Sequence, residues 1–201
     1  MYQKRILFSA AACGYGTLPT GEQDGASLDA RSKNRLDCMI EDAISECLGG
    51  NVVAFAFGAG ALNKRCQPLC ELQMKYVVER WQRELPFMTL VKHLPSSQDR
   101  LWGTEDEVEF AQSIAEEYGY DELRYATEDY HCPRTEYLLE VHQTESVDWI
   151  LLKASSLQNP ATAAEVLHEE QSLWSRKHLP AVLYWTLQKL SRLRQRMKNA
   201  L

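Results

Sequence analysis

The sequence predicts a three-layer α/β fold, a parallel sheet of about five strands covered by helices on both faces with a C-terminal helical extension. Two observations carry this. Short apolar runs recur at Ile6–Cys13, Val52–Phe57, Phe87–His93, Leu123–Thr127 and Trp149–Ala154. Between them lie segments whose apolar residues repeat at helical spacing, and this alternation is the pattern of βαβ units.

The elements follow in order. Leu36, Met39, Ile40, Ala43, Ile44, Cys47 and Leu48 share one face of a helix over Arg35–Leu48, which Gly49 and Gly50 end. Leu69, Leu72, Val77, Val78 and Trp81 mark a second helix over Leu69–Leu85, preceded by Pro68. Val108, Ala111, Ile114, Ala115 and Tyr118 mark a third over Glu105–Tyr118, which Gly119 ends. Thr104 is its expected N-cap. With Glu107 it matches a capping box, which would leave Glu105, Asp106 and Glu107 as ordinary first-turn acids. A shorter helix covers Thr135–His142 after Pro133, another opens at Pro160 and runs through Glu170, and a last one spans Ala181–Asn199. Residues 1–158 then form the core and residues 159–201 the extension packed on it.

Composition narrows the function. The 201 residues carry a net charge of −6, which argues against a general nucleic-acid-binding role. No run reaches the length of a membrane span, and the first residues lack the pattern of a signal peptide, so a cytoplasmic protein is expected. The six cysteines are scattered. Cys66 and Cys70 sit four apart with no second close pair to complete a zinc site, so reduced thiols and no structural metal are expected.

Candidate chemistry gathers where strands end, because ligands of such sheets bind outside the carboxyl ends of the strands. The first strand runs into Cys13-Gly14-Tyr15-Gly16, where glycines let backbone amides approach an anion. The spacing fits neither the GxGxxG dinucleotide fingerprint nor a Walker A loop. The second ends in Phe57-Gly58-Ala59-Gly60, followed by Asn63, Lys64 and Arg65. The fourth carries the strongest signal, delivering Glu128, Asp129, Tyr130, His131 and Arg134 to one turn. His131 is the candidate acid/base, Glu128 and Asp129 are the carboxylates that could orient it or bind a cation, and Arg134 is a two-point anion grip. Cys132 lies beside them, but adjacency alone does not make a nucleophile. The final segment, with Lys189, Arg192, Arg194, Arg196 and Lys198, is a basic amphipathic stretch, expected first as a terminal helix docked on its own domain with a solvated basic edge and second as a contact for an anionic membrane surface.

In order, these elements resemble the YdcF-like, SanA-like and ElyC-like family of domains of unknown function. Cys13-Gly14-Tyr15-Gly16 stands for the family's glycine-rich first strand end, and Leu28 and Arg35 for the residues opening its first helix. Phe57-Gly58-Ala59-Gly60 stands for its Ser-Gly-Gly, Glu71 for the acid of its next helix, and Gly103-Thr104-Glu105-Asp106-Glu107 for Asn-Thr-x-Glu-Asn. Ala126–Arg134 stands for Val-Thr-Ser-x-Tyr-His-x-x-Arg, the one specific match. The second strand end lacks the family's serine, and both asparagines of the fourth element are replaced.

The resemblance implies a Rossmann-like sheet with a pocket at its carboxyl edge, and such sheets usually change direction between the first and fourth strand ends, where the pocket is expected. Gly14, Gly16, Gly58, Gly60, Thr104, Asp106, Asp129, His131 and Arg134 would line it, with Arg35 as a further ligand-binding position. The expected occupant is an anionic or nucleotide-like small molecule, S-adenosylmethionine included, with a divalent ion at Asp106 or Asp129 as an option. The alternatives are a hydrolase or transferase acting on a phosphorylated substrate through His131, and an interaction module built on the basic C-terminal helix.

Overall fold

Five strands form one parallel sheet: β1 (Arg5–Ala10), β4 (Val52–Ala56), β5 (Val91–His93), β6 (Glu122–Glu128) and β7 (Asp148–Ala154), in the order β5-β4-β1-β6-β7. A small antiparallel hairpin, β2 (Tyr15–Thr17) and β3 (Gln23–Leu28), stands apart from it. The helices are α1 (Ala30–Leu48), α2 (Leu69–Glu84), α3 (Thr104–Glu117), α4 (Cys132–His142) and α5 (Ala163–His178), with a 3-10 turn, η1 (Asp129–His131), leading into α4. The computed structural model describes residues 3–12, 14–61, 65–95, 103–155, 161–180, 183, 184 and 186. The architecture is the expected Rossmann-like α/β one.

β1 is buried on both faces, which is why it reads as an unbroken apolar run. Ile6, Phe8 and Ala10 face a layer made by α1 and α2, where Leu36, Met39, Ile40, Leu72, Val77 and Trp81 pack. Leu7 and Ala11 face the other layer, with Val108, Ala111 and Ala115 of α3 and Leu138 and Leu139 of α4. β1 is the central strand, in register with β4 from Arg5↔Val52 and with β6 from Ile6↔Glu122. From β1 the chain builds outward through β4 to β5. It then returns to lay β6 on β1's other side and β7 beyond it. The direction therefore reverses between β1 and β6, and a crevice opens there at the carboxyl edge.

Several boundaries differ from the sequence reading. α1 starts earlier, because Asp29 caps it by accepting the Ser32 amide at 2.7 Å. β5 is shorter than Phe87–His93. The chain first turns over the end of α2, where the Met88 amide donates to Leu85 O, and Phe87 is left 97% exposed. α5 runs from Ala163 to His178, opened by a capping box between Thr162 and Glu165. The expected last helix, with the basic residues Lys189 to Lys198, lies outside the described residues apart from Leu183, Tyr184 and Thr186. Among the described residues no helix is long and apolar enough to cross a membrane.

Candidate functional site

The carboxyl end of β1 is held from three sides. Past the ladder its backbone groups need partners, and side chains supply them. The Ala10 carbonyl accepts from Gln73 of α2 at 3.3 Å, and the Ala11 carbonyl from Arg35 of α1 at 3.0 Å. The Ala12 amide donates to Glu107 of α3 at 3.4 Å. Arg35 is fully buried and also donates to Glu128 at 3.1 Å, an ion pair closed from water that joins α1 to the end of β6. Burial pushes the Glu107 carboxyl up to about 7, against the amide of Ala12 and the charge of Arg35, which lower it. This layer fixes the floor of the site.

Above it lies a cleft of about 420 Å3 between the ends of β1 and β6. Ala12, Asp29 and Arg31 line it from the β1–α1 side, and Tyr130 and His131 from η1. α5 forms the roof with Ala164, Glu165, His168 and Glu169. Arg31 sits in the first turn of α1, at the positive end of that helix. It donates to both oxygens of Glu165, at 2.6 and 3.4 Å, and to the Tyr130 hydroxyl at 3.3 Å. The Arg31 guanidinium holds the Glu165 carboxyl down at about 2. On the other wall, His131 Nδ1 lies 3.0 Å from Glu169, and Arg134 reaches the same carboxylate at 3.2 and 3.3 Å. Burial would raise the Glu169 carboxyl, but the hydrogen bonds from His131 and Arg134 and the charge of Arg134 outweigh it and leave it below its ordinary value.

The sequence-expected residues fall in different places around this cleft. His131 lines it, and Arg134 is tied to it through Glu169. Asp129 is exposed at the start of η1. Arg35 is buried beneath the cleft. The Gly14 amide is taken by Ser32 Oγ at 3.3 Å and its carbonyl by the Asp29 amide at 3.1 Å, and a Cβ there would come within 3.3 Å of the Asp29 carboxylate. A Cβ on Gly16 would strike Ser27 across the hairpin. Gly58 and Gly60 lie buried beyond β4, where the Ala59 and Gly60 carbonyls accept the Cys70 and Leu69 amides that open α2. Both glycine-rich segments therefore join or cap elements in this structure.

The start of α3 corrects the capping-box expectation. Gly103 is the N-cap, Thr104 is the first helical residue, and no side chain caps this helix. Glu107 turns inward to Ala12, so it is not free to close a box. Glu105 is buried as well, accepting from Arg176 at 3.0 Å and from the Tyr184 hydroxyl at 2.8 Å. Asp106 is the half-buried acid between them. Cys132 is buried, with its thiol on the Glu128 carbonyl, and burial pushes it up to about 11, so no thiolate forms there near neutral pH.

Among the described residues no three His, Cys, Asp or Glu side chains gather to hold a metal ion. Asp29, Arg31, Glu165, His168 and Glu169 were not singled out from sequence. Glu165 and Glu169 are four apart on a helix, but nothing local in α5 marks that face as the inner one. Compared with known proteins, the chain matches no family model, no curated protein and no solved structure.

Proposed function

We propose that the chain binds an anionic or nucleotide-like small molecule in the cleft between β1 and β6, S-adenosylmethionine being one of the compounds to test. The observation that carries this is the meeting of Arg31, at the positive end of α1, with His131 and Arg134 across a cleft at the sheet's reversal point. The volume of about 420 Å3 suits a nucleotide-sized molecule. Arg31 would grip a phosphate or carboxylate, Tyr130 would flank an aromatic ring, and Asp29 would accept from hydroxyls or an ammonium. The resemblance to the YdcF-like family agrees with this reading through Tyr130-His131-x-x-Arg134 and adds no reaction of its own.

A ligand that binds only the folded state raises the melting temperature. Thermal-shift scans of the wild type and of Arg31→Ala/His131→Ala would use S-adenosylmethionine, nucleotides, sugar and prenyl phosphates, and inorganic phosphate. At a hundred times Kd the stabilisation is about 2.7 kcal/mol, a rise of several degrees for a chain of this size. The rise is expected in the wild type alone. No rise with any compound in the wild type would overturn the proposal.

One observation favours a second reading, a hydrolase or transferase for phosphorylated substrates. His131 Nδ1 is held by a buried carboxylate, Glu169, at 3.0 Å, the arrangement that orients an imidazole for proton transfer at Nε2. In that case His131→Ala abolishes turnover of a phosphorylated substrate while Glu169→Gln lowers it and alters its pH profile. Turnover unchanged in His131→Ala would exclude it.

A further inference from the structure

α5 docks in an inverted way. Among its described residues only Glu169 is buried, while Leu167 and Trp174 are 53% and 59% exposed. A helix seated by the hydrophobic effect would turn those apolar residues inward. Val166 and Leu173 are half-buried, and the closest contacts of α5 are polar: Glu165 on Arg31 at 2.6 Å, Glu169 on His131 and Arg134 at 3.0 and 3.2 Å, and Arg176 on Glu105 at 3.0 Å. The two glutamates lie one turn apart on one face, with Cβ atoms about 5–6 Å from each other. The donors they occupy belong to opposite walls of the cleft, Arg31 of α1 on one side and His131 of η1 with Arg134 of α4 on the other. The carboxylates therefore sit where the proposed ligand's charges would sit.

We infer that α5 is an internal stand-in for the ligand: Glu165 and Glu169 occupy two anion subsites, and the molecule that displaces them carries two anionic groups about one helical turn apart. This rests on the anion-binding reading of the cleft and sharpens it. A molecule with one anionic group satisfies one wall and leaves the other glutamate in place. A molecule with two, such as a diphosphate or a five-carbon dicarboxylate, satisfies both and frees α5. No covalent step is involved.

The test uses the full chain. Titration calorimetry would measure ADP, glutarate, AMP and inorganic phosphate against the wild type, Glu165→Gln and Glu165→Gln/Glu169→Gln. Removing the internal competitor should tighten binding of ADP, glutarate or both by tenfold or more in the double variant. AMP and phosphate, each displacing one glutamate, should gain by no more than about a third of that factor. Glu165→Gln, which leaves the buried Glu169 cluster intact, guards against a double variant that fails to fold and should show an intermediate gain. Hydrogen exchange adds a second readout. ADP or glutarate should speed exchange of the α5 amides in the wild type while the amides of β1 and β6 stay protected.

Wild-type binding with no gain in either variant, or with α5 exchange slowed, would overturn the stand-in and leave the anion-binding reading intact. Faster α5 exchange in the variants with no anion bound by any form would overturn the anion-binding reading, and the inferred ligand class with it.

Discussion

α1 and α5 form a wall and the roof of one cleft and are held by different forces. α1 buries Leu36, Met39, Ile40 and Ala43 completely against the sheet. Each large apolar side chain contributes on the order of 1.5–3 kcal/mol by burial, little affected by salt or pH. α5 fully buries no apolar residue, with Val166 and Leu173 only half-covered, and it relies on ion pairs, of which that of Glu165 is open to screening while those of Glu169 and Glu105 are buried. The first helix therefore belongs to the cooperative unit of the fold, and the second to its low-stability end, where elements that move are found. Acid separates them as well. Glu165 titrates at about 2 against an ordinary value of 4.5, so the stabilisation of its pair with Arg31 is present above 4.5. It is lost as pH falls toward 2, while α1's apolar contacts are indifferent to that change.

The largest effect in breaking this comparison is expected at Arg35. Arg35→Ala removes one partner of a buried pair, leaving Glu128 charged and uncompensated and the Ala11 carbonyl without its donor. Such changes cost about 3–5 kcal/mol, a large share of a domain's stability. Met39→Ala, an apolar truncation on the same helix, should cost about 2–5 kcal/mol. Urea unfolding checks both. A loss below about 1 kcal/mol in each would show that α1 is no more firmly seated than α5.

A smaller effect is expected at Glu107, beneath the cleft. Its folded value is raised to about 7 from an ordinary 4.5, chiefly by burial. The stability it permits is full below about 4.5 and is lost as pH rises through 7. The loss at higher pH is on the order of 3 kcal/mol, because each unit is worth about 1.4 kcal/mol. Glu107→Gln keeps an acceptor for the Ala12 amide and removes the titration. Its stability should stay nearly level between pH 5 and 8 while that of the wild type declines. Parallel declines in the two proteins would mean that Glu107 is not the group responsible.

These contrasts explain what was legible in the sequence. The central strands β1, β4 and β6 and α1 to α3 were, because their apolar periodicity is the same fact as their burial, whereas the edge strand β5 read longer than it is because Phe87, Met88 and Val91 are apolar yet exposed. The β2–β3 hairpin was not. β2 has three residues, and its glycines read equally well as a loop until Ser27 is seen packed against Gly16. Glu107 was legible in principle, since it lies four residues before Ala111 on the inner face of α3, but its match to a capping box with Thr104 concealed this. Arg35 shares a face with Met39 in the same way and entered only through the family resemblance. At the cleft the turn Asp129–Arg134 was legible because strand ends collect ligands, whereas its partners were not. Glu165 and Glu169 take their meaning from Arg31, His131 and Arg134, over 30 residues away in sequence, and no local pattern encodes that meeting.

The smallest expected effect sharpens the comparison most. Trp174 is the largest apolar side chain on α5, it is 59% exposed, and its ring rests on His178 of the same helix at 5.2 Å. If α5 is seated by its ion pairs and the half-buried Val166 and Leu173, Trp174→Ala removes nothing that holds the helix down. Global stability should change by less than about 0.5 kcal/mol, the range of ordinary surface substitutions. Exchange of the α5 amides should stay within about twofold of the wild type, because the pairs of Glu165 and Glu169 are untouched. A loss above about 1.5 kcal/mol would mean that Trp174 is buried in solution, and α5 would then be seated as α1 is. The tryptophan also reports directly: its emission in the native protein should already be that of a half-hydrated indole and should shift little further when the helix opens.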